Sequence, residues 1–418
     1  MYISGPALWV FLLLLLGRCV RSSNETAFGG RSGNGKQVVA AGRRLGFVSP
    51  SNGTDIITHP IPLIKCSNQT ACIQPHLQLQ RTFDVYYCKH VGHGVRFYFL
   101  VKEGLLLHPN LRFVEDGNKA DVVVYLPVSA DWDKSECSNP RWRNKTVVLD
   151  EGDWPSLFDA PGKGDWLLYF KRSYVSRGNG IFKKYMDYIH KPTVLPMTYP
   201  IAEAYVRNLF SLMKDRDIEI TSTLRGSKAD PCRMRVRQWV EEYCRARGIK
   251  KFIAGEVNHQ SRTVVSTGYL GQMYRSRIVV TSNPSGWEGD FRLMEAISTG
   301  SLIFVDQMYV PRPFPLIADQ HVVYYDNNNK TDVFEKLDFY RKNTERARRV
   351  AVGGYLHAMK FHRAACLMDY IFRTIHAKLV LEQQGPDAAR ALQYTATGFH
   401  MRQRATENAK RVGKPIPL

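Results

Sequence analysis

The strongest constraint on this chain is a set of short runs whose central positions are all apolar. A-D-V-V-V-Y-L-P (120–127), T-V-V-L-D (146–150), W-L-L-Y-F (166–170), I-V-V-T (278–281) and S-L-I-F-V (301–305) are rich in β-branched and aromatic residues. A strand with one wet face alternates polar with apolar, whereas a run without alternation is buried on both faces. That is the signature of parallel sheets covered by crossover helices, and the spacing leaves room for those crossovers. Further strands are expected at 84–87, 95–101, 218–223, 251–254 and 321–325. Helices are expected at 231–248, 269–275, 332–349 and 354–381. The fold class is therefore α/β, with two Rossmann-like domains.

At 418 residues the chain is too long for one compact core. The expected division is a leader or short anchor at 1–22, a flexible stem at 23–60, a first domain at 61–200, a second at 201–383 and a basic tail at 384–418. Pro192, Pro196 and Pro200 mark the connection between the domains. Hydrophobic residues make up 44% and charged residues 23%, as in folded globular proteins. The formal charge of +20 favours an anionic partner, such as a nucleotide diphosphate or an acidic glycan. No DNA- or RNA-binding motif is present, and no nucleic-acid partner is expected.

Residues 7–16 (A-L-W-V-F-L-L-L-L-L) are uncharged and too few to span a bilayer, which takes ~20 residues. They fit the apolar core of a signal peptide, with a short anchor as the alternative, so membrane contact is expected only if that segment stays attached. Either places the body in the secretory lumen, the ER or Golgi, or outside the cell. Asn24, Asn52, Asn68, Asn144 and Asn329 each have Thr two residues on, as glycosylation acceptors do. Cys66, Cys72, Cys88 and Cys137 cluster in the first third and could form two disulfides of undetermined pairing. Cys232 and Cys244 lie too far apart on one helix to bond each other. No Cys or His spacing suits zinc, and neither a structural metal nor a cofactor is expected.

Function concentrates in 282–306, S-N-P-S-G-W-E-G-D-F-R-L-M-E-A-I-S-T-G-S-L-I-F-V-D. Asn283, Pro284, Gly286 and Gly289 punctuate a loop, Asp290 suits a helix N-cap, and Gly300 suits the stop. A Gly-rich turn feeding a helix is a natural anion site, and Arg292 and Glu295 lie on one face of that helix. The bland alternative is an ordinary crossover with Arg292 and Glu295 as a surface ion pair. In the first half, Asp150-Glu151-Gly152-Asp153 and Lys171-Arg172-Ser173 follow strands, where ligands of doubly wound sheets collect. These are alternatively solvated loop charges.

The segment from 218 to 326 resembles the donor-binding part of GT-B glycosyltransferases, nearest the exostosin-type and group-1-like enzymes. A small-residue loop, then R-x-x-E-A-x-x-x-G and an apolar strand, follow a basic loop and helix, here L-R-G-S-K with Arg233 and Arg235. The resemblance implies a GT-B-like fold with a cleft between its domains and a nucleotide-sugar donor as co-substrate. It implies that Glu295 holds the donor ribose. Ser285, Gly286, Gly289 and Arg292 would lie near the diphosphate, as would the basic helix residue Arg233. Arg225 and Lys228 would neutralise the departing nucleoside diphosphate. Glu288 and Glu295 are seven apart rather than the eight of many retaining enzymes, which fits an inverting mechanism. Inversion needs a base for the acceptor hydroxyl, and Asp150, Glu151 and Asp153 are the candidates. The acceptor would be a glycan or glycoprotein, acidic or neutral. Two other readings compete. One is a metal-dependent GT-A transferase using a D-x-D at Asp131–Asp133 or Asp215–Asp217. The other is a secreted glycosaminoglycan-binding protein without catalysis.

Overall fold

The computed structural model describes residues 73–88, 98–127, 139–150, 152, 157, 166–174, 193–206, 215–224, 231–254, 267–284, 288–308 and 312–394. The segments expected as leader and stem (1–22 and 23–60) lie outside these. Two parallel sheets form the frame. The first contains β1 (Phe83–Tyr87), β2 (Leu111–Phe113), β3 (Val122–Tyr125), β4 (Thr146–Asp150), β5 (Leu168–Lys171) and β6 (Val194–Pro196), in the order β2-β1-β3-β4-β5-β6. The second contains β7 (Ile218–Ser222), β8 (Phe252–Ala254), β9 (Ser276–Val280), β10 (Leu302–Asp306) and β11 (Val323–Tyr325), in the order β11-β10-β9-β7-β8. Every pairing is parallel. Each sheet winds first to one side of its opening strand and then to the other. The order therefore reverses between β1 and β3, and again between β7 and β9. No sequence repeat announces this likeness, because only the pattern of buried runs is common to the two halves.

Alternate residues of each strand enter different cores. Val122, Val124, Val147 and Leu149 face a large central core, while Val123, Tyr125 and Val148 face an outer one. In the second sheet Val279, Ile303 and Val305 point to the central core, and Ile278, Val280, Leu302 and Phe304 to the opposite face. The runs lack alternation because both faces are dry, and fully burying each such side chain contributes roughly 1.5–3 kcal/mol.

Helices complete the layers: α1 (Tyr98–Leu107), α2 (Pro231–Ala246), α3 (Thr267–Tyr274), α4 (Phe291–Ile297), α5 (Lys330–Lys342), α6 (Thr344–Phe361), α7 (Ala364–Gln384) and α8 (Pro386–Ala391). α7 returns to the first half. Its Phe372 and Tyr370 meet Phe83 and Phe170, with ring centroids 5.5 and 5.8 Å apart. Its Asp369 accepts from the amides of Gln78 and Leu79 at 2.8 Å. The chain passes between halves twice, at 197–206 and 362–364, and the passes touch. Ile201 N donates to His362 O at 2.7 Å, Ala364 N donates to Ile201 O at 3.0 Å, and Arg363 Nε donates to Glu203 at 2.6 Å.

The helix crossing is tight at Gly104 of α1, where a Cβ would lie 2.5 Å from Ala364 O and 2.8 Å from Met368 Cγ. Gly104→Ala is therefore expected to destabilise the fold by about 1–3 kcal/mol in urea unfolding, although alanine is the better helix former.

Several elements differ from the sequence expectation. Of the run expected as a strand at 95–101, the part from Tyr98 is helix α1 instead. β2 and β6 were too short to register, and Pro196 ends β6 at the sheet edge, where a missing N–H is tolerated. The two long helices expected at 332–349 and 354–381 are three. Asn343 closes α5, with its side chain donating to Phe339 O at 2.8 Å. Gly353 and Gly354, which read as a boundary, sit inside α6, where a Cβ would collide with the carbonyls of Gln320 and His321. The expected tail begins with ordered structure. α8 leads to a buried Tyr394, whose hydroxyl accepts from Gln80 N at 3.3 Å and meets His376 Nδ1 at 2.7 Å. Cys88 is disulfide-bonded, and Cys232, Cys244 and Cys366 are free thiols. Among the described residues no helix is long and apolar enough to cross a membrane.

Candidate active site

In an open parallel sheet, ligands gather beyond the carboxyl ends of the strands where the order reverses. In the second sheet that point lies between β7 and β9. The loop after β9 begins at Thr281, whose carbonyl accepts from Tyr325 OH at 2.7 Å. Asn283 is the clamp of this loop. Its backbone N and Nδ2 donate to Asp306 Oδ1 at 2.7 and 2.9 Å, and its Oδ1 accepts from Gly289 N at 2.7 Å. Asp306 closes β10 and also accepts from Asn327 Nδ2 at 2.9 Å. Burial outweighs these donors and pushes its carboxyl up to about 6.

Asp290 caps α4, its carboxylate accepting from the Arg292 amide, and the same carboxylate pairs with Arg233 from the first turn of α2. Arg233 Nε donates to Ser282 O at 3.0 Å, so one guanidinium joins the helix after β7 to the loop after β9 across the reversal point. Arg292 Nη1 lies 3.6 Å from Asp290. All seven residues of α4 are buried, Arg292 and Glu295 included, which removes the surface-ion-pair alternative. Glu295 and Arg292 both act on Tyr269 of α3. Its phenol is held far above the ordinary range, first by burial and then by the Glu295 charge. Gly289 has φ +78°, and a Cβ there would strike the guanidinium of Arg312.

The helix end itself does not behave as expected. α4 is short, and Asp290 supplies its own negative charge at the N-terminus. An incoming anion would have to be met by side-chain cations rather than by this helix end.

Of the residues proposed from sequence, Arg233, Gly289, Arg292 and Glu295 are thus gathered in one place, around Asp290. Arg225, Lys228, Ser285, Gly286, Glu151 and Asp153 lie outside the described residues. Asp150 ends β4 in the first half, and there it is a buried brace. Oδ1 accepts from Gly152 N at 2.7 Å; Oδ2 accepts from Tyr169 OH and from Lys171 Nζ, the latter at 2.9 Å. With both oxygens engaged and its side chain 5% exposed, Asp150 is not offered to an acceptor hydroxyl. Neither Asp150 nor Lys171 and Arg172 are solvated loop charges, because all three are buried.

The carboxyl ends of the two sheets meet. Tyr199, after β6, packs edge-on against Phe291 at 5.1 Å, and Arg172 lies 4.5 Å over the Tyr199 ring. The D-x-D at Asp215–Asp217 is at the opposite, amino end of β7. Asp217 pairs with Arg275, and Arg216 is consumed by Tyr274 O, Ser276 O, Ser301 Oγ and Thr299 O at 2.7–3.1 Å. That pattern is a brace, which removes this half of the GT-A alternative; Asp131–Asp133 lies outside the described residues. Sequence reading took Asn283 only as a loop residue and missed Asp306, Tyr269 and Arg312. Applying the strand-end rule to β10 would have raised Asp306, and Arg312 stands between prolines in the loop that follows.

Residues 208–373 match the family model described as glycosyl transferase-like, a span that holds β7 to β11 and the whole cluster around Asp290. No curated protein matches the chain. Among solved structures it is similar to a glycosyltransferase from Rickettsia africae ESF-5. The identity is 10%, over 72% of this chain and 99% of that one, with a TM-score of 0.40. It is also similar to an α-glucosyltransferase in complex with UDP-glucose and DNA containing an abasic site (11% identity, 71% and 100% coverage, TM-score 0.44). A third is Anabaena Alr3699/HepE in complex with UDP (8% identity, 70% and 99% coverage, TM-score 0.41).

Proposed function

We propose that the protein is an exostosin-like glycosyltransferase that moves a sugar from a nucleotide-sugar donor to a glycan or glycoprotein acceptor with inversion. The observation that carries this reading is the burial of Glu295 and Arg292 on α4 at the strand-order reversal of the second sheet, within a segment matching a glycosyl transferase-like family. A carboxylate in that position can accept both hydroxyls of a ribose, and Gly289 lets the chain approach a diphosphate closely. Transfer leaves a nucleoside diphosphate, whose negative charge must be met as the bond breaks. In this reading Arg225 and Lys228, which follow β7 in the sequence, supply that charge as side-chain cations, so the reading requires no metal ion. The structural role of Asp150 leaves Glu151 and Asp153 as the carboxylates for the acceptor proton in this reading. The apolar leader and the five Asn-x-Thr sites support a place in the secretory pathway, in the ER or Golgi lumen or secreted.

A thermal-shift panel of nucleoside diphosphates tests this directly. A ligand binding only the folded state adds RT ln(1 + [L]/Kd), about 2.7 kcal/mol at roughly a hundredfold excess over Kd. One base is expected to raise the midpoint by several degrees. A flat response to every nucleotide, together with a rise on adding heparin, would replace the transferase with a glycan-binding protein.

A further inference from the structure

Glu103 lies in α1, one residue before Gly104, where that helix crosses the start of α7. It is 6% exposed. Its Oε1 accepts from the Glu203 amide, in the first pass of the chain between the halves, at 3.0 Å, and among the described residues its Oε2 has no partner. The cation of this patch is engaged elsewhere. Arg363, from the second pass, takes the Glu203 carboxylate with Nε and Nη2 and the Ile73 carbonyl with Nη1 at 2.9 Å. Glu203 thus has a two-pronged charged partner, whereas Glu103 has one neutral N–H. An ionised Glu103 would be a buried charge with a single hydrogen bond, and the residue whose amide it holds carries the competing carboxylate. A protein interior holds such an arrangement only at high cost, and a carboxyl escapes that cost by keeping its proton.

The electrostatics agree with the geometry. Burial, first of all, pushes the Glu103 carboxyl up to about 8; the Glu203 amide and the Arg363 charge pull it down, and the Glu203 charge adds to the rise. Among the described residues those two are the charged groups that act on it. His362 of the second pass bonds the Phe314 carbonyl at 3.0 Å and is pushed down to about 3 by burial, so it stays neutral in this range. His108 and Arg373 close on Asp369 of α7.

We propose that Glu103 carries a proton at neutral pH and is a pH-sensitive switch at the place where the two passes touch. With the proton on, Arg363 belongs to Glu203 alone and the passes stay paired. With the proton off, two buried carboxylates compete for one guanidinium and the contact loosens. Nothing in this switch depends on the nucleotide-sugar reading. A carboxyl whose folded value exceeds its ordinary 4.5 contributes stability that is present in full below that pH and is lost as pH rises through about 8.

The test compares the full chain with Glu103→Gln, whose amide is close in shape to the protonated acid, by urea unfolding from about pH 5 to about pH 9. Titrations common to both proteins cancel in the difference. The midpoint of the variant is expected to rise against that of the wild type by roughly 0.5 M or more, steadily to about pH 8 and level above it. Hydrogen exchange locates the effect. After correction for intrinsic rates, the amides of Ile201 and Ala364, which pair the passes, are expected to open about tenfold more readily in the wild type at about pH 9 than at about pH 7, and not in the variant. A midpoint difference that is constant across the range makes Glu103 a packing residue and overturns the switch. So does an unchanged opening of these two amides in the wild type, or an equal increase in the variant. If Glu103→Gln does not fold, infrared spectroscopy of the wild type decides. A protonated-carboxyl band at about pH 7 that vanishes by about pH 9 supports the switch, and its absence at about pH 7 overturns it.

Discussion

Glu295→Gln is expected to lower kcat/KM for the nucleotide-sugar donor by about 100-fold or more, the largest functional effect of any single substitution considered. Two hydrogen bonds from a ribose to a charged carboxylate are worth roughly 1.5–3 kcal/mol each, and an amide can accept only one of them well. Because Glu295 is buried beside Arg292 and Tyr269, a loss of activity alone would not separate binding from folding. The decisive readout is discrimination. The wild-type protein is expected to bind the preferred nucleoside diphosphate much more tightly than its 2′,3′-dideoxy analogue, and Glu295→Gln to lose most of that preference. A variant that keeps the full preference for ribose would assign Glu295 to packing.

The largest stability effect is expected at Asp369. Its carboxylate lies in α7 and gathers four donors: the amides of Gln78 and Leu79 at 2.8 Å, His108 Nε2 at 3.2 Å and Arg373 Nε at 2.6 Å. Asp369, His108 and Arg373 all have 0% side-chain exposure. Asp369→Asn removes the carboxylate paired with the buried Arg373 guanidinium, and breaking such a pair from one side costs about 3–5 kcal/mol. The double variant Asp369→Asn/Arg373→Met is expected to recover part of this in urea unfolding, since the buried charge goes too. A loss below about 1 kcal/mol for the single variant would show the network to be dispensable. The pH dependence has a definite sign. Burial opposes the charge on Asp369, but the His108 bond and the Arg373 charge outweigh it, and the carboxyl sits below its ordinary value of 3.8. A depressed folded value means the contribution is present in full above that pH and is lost only as pH falls below it.

The sheets were legible because their physics is local. A run such as V-V-V-Y has no polar residue to turn toward water, so it reports burial on both faces without knowledge of its neighbours. The turn and helix at 283–300 were legible for the same reason: Asn283, Gly289, Asp290 and Gly300 each satisfy a backbone requirement within a few residues. What could not be read depends on distant contacts. Nothing near Gly353 says that a loop carbonyl presses on the helix there, so the residue looked like an end. The helix that starts at Tyr98 packs through Gly104 against α7, far along the chain, which no local pattern reveals. Asp150 kept the appearance of a free acid until Lys171 and Tyr169 were seen to occupy it. Arg312 became visible only when the loop after β10 was seen to fold back under Gly289. The site was thus read well on the element that carries Glu295 and poorly wherever two loops meet.

The paired backbone at Ile201 and His362–Ala364 has a mechanical meaning. Both passes of the chain between the halves run through one small patch, locked by Arg363 and Glu203. A joint with its two straps side by side resists sliding but permits rotation about that patch. Relative motion of the sheets would then be a tilt, with displacement growing with distance from the joint.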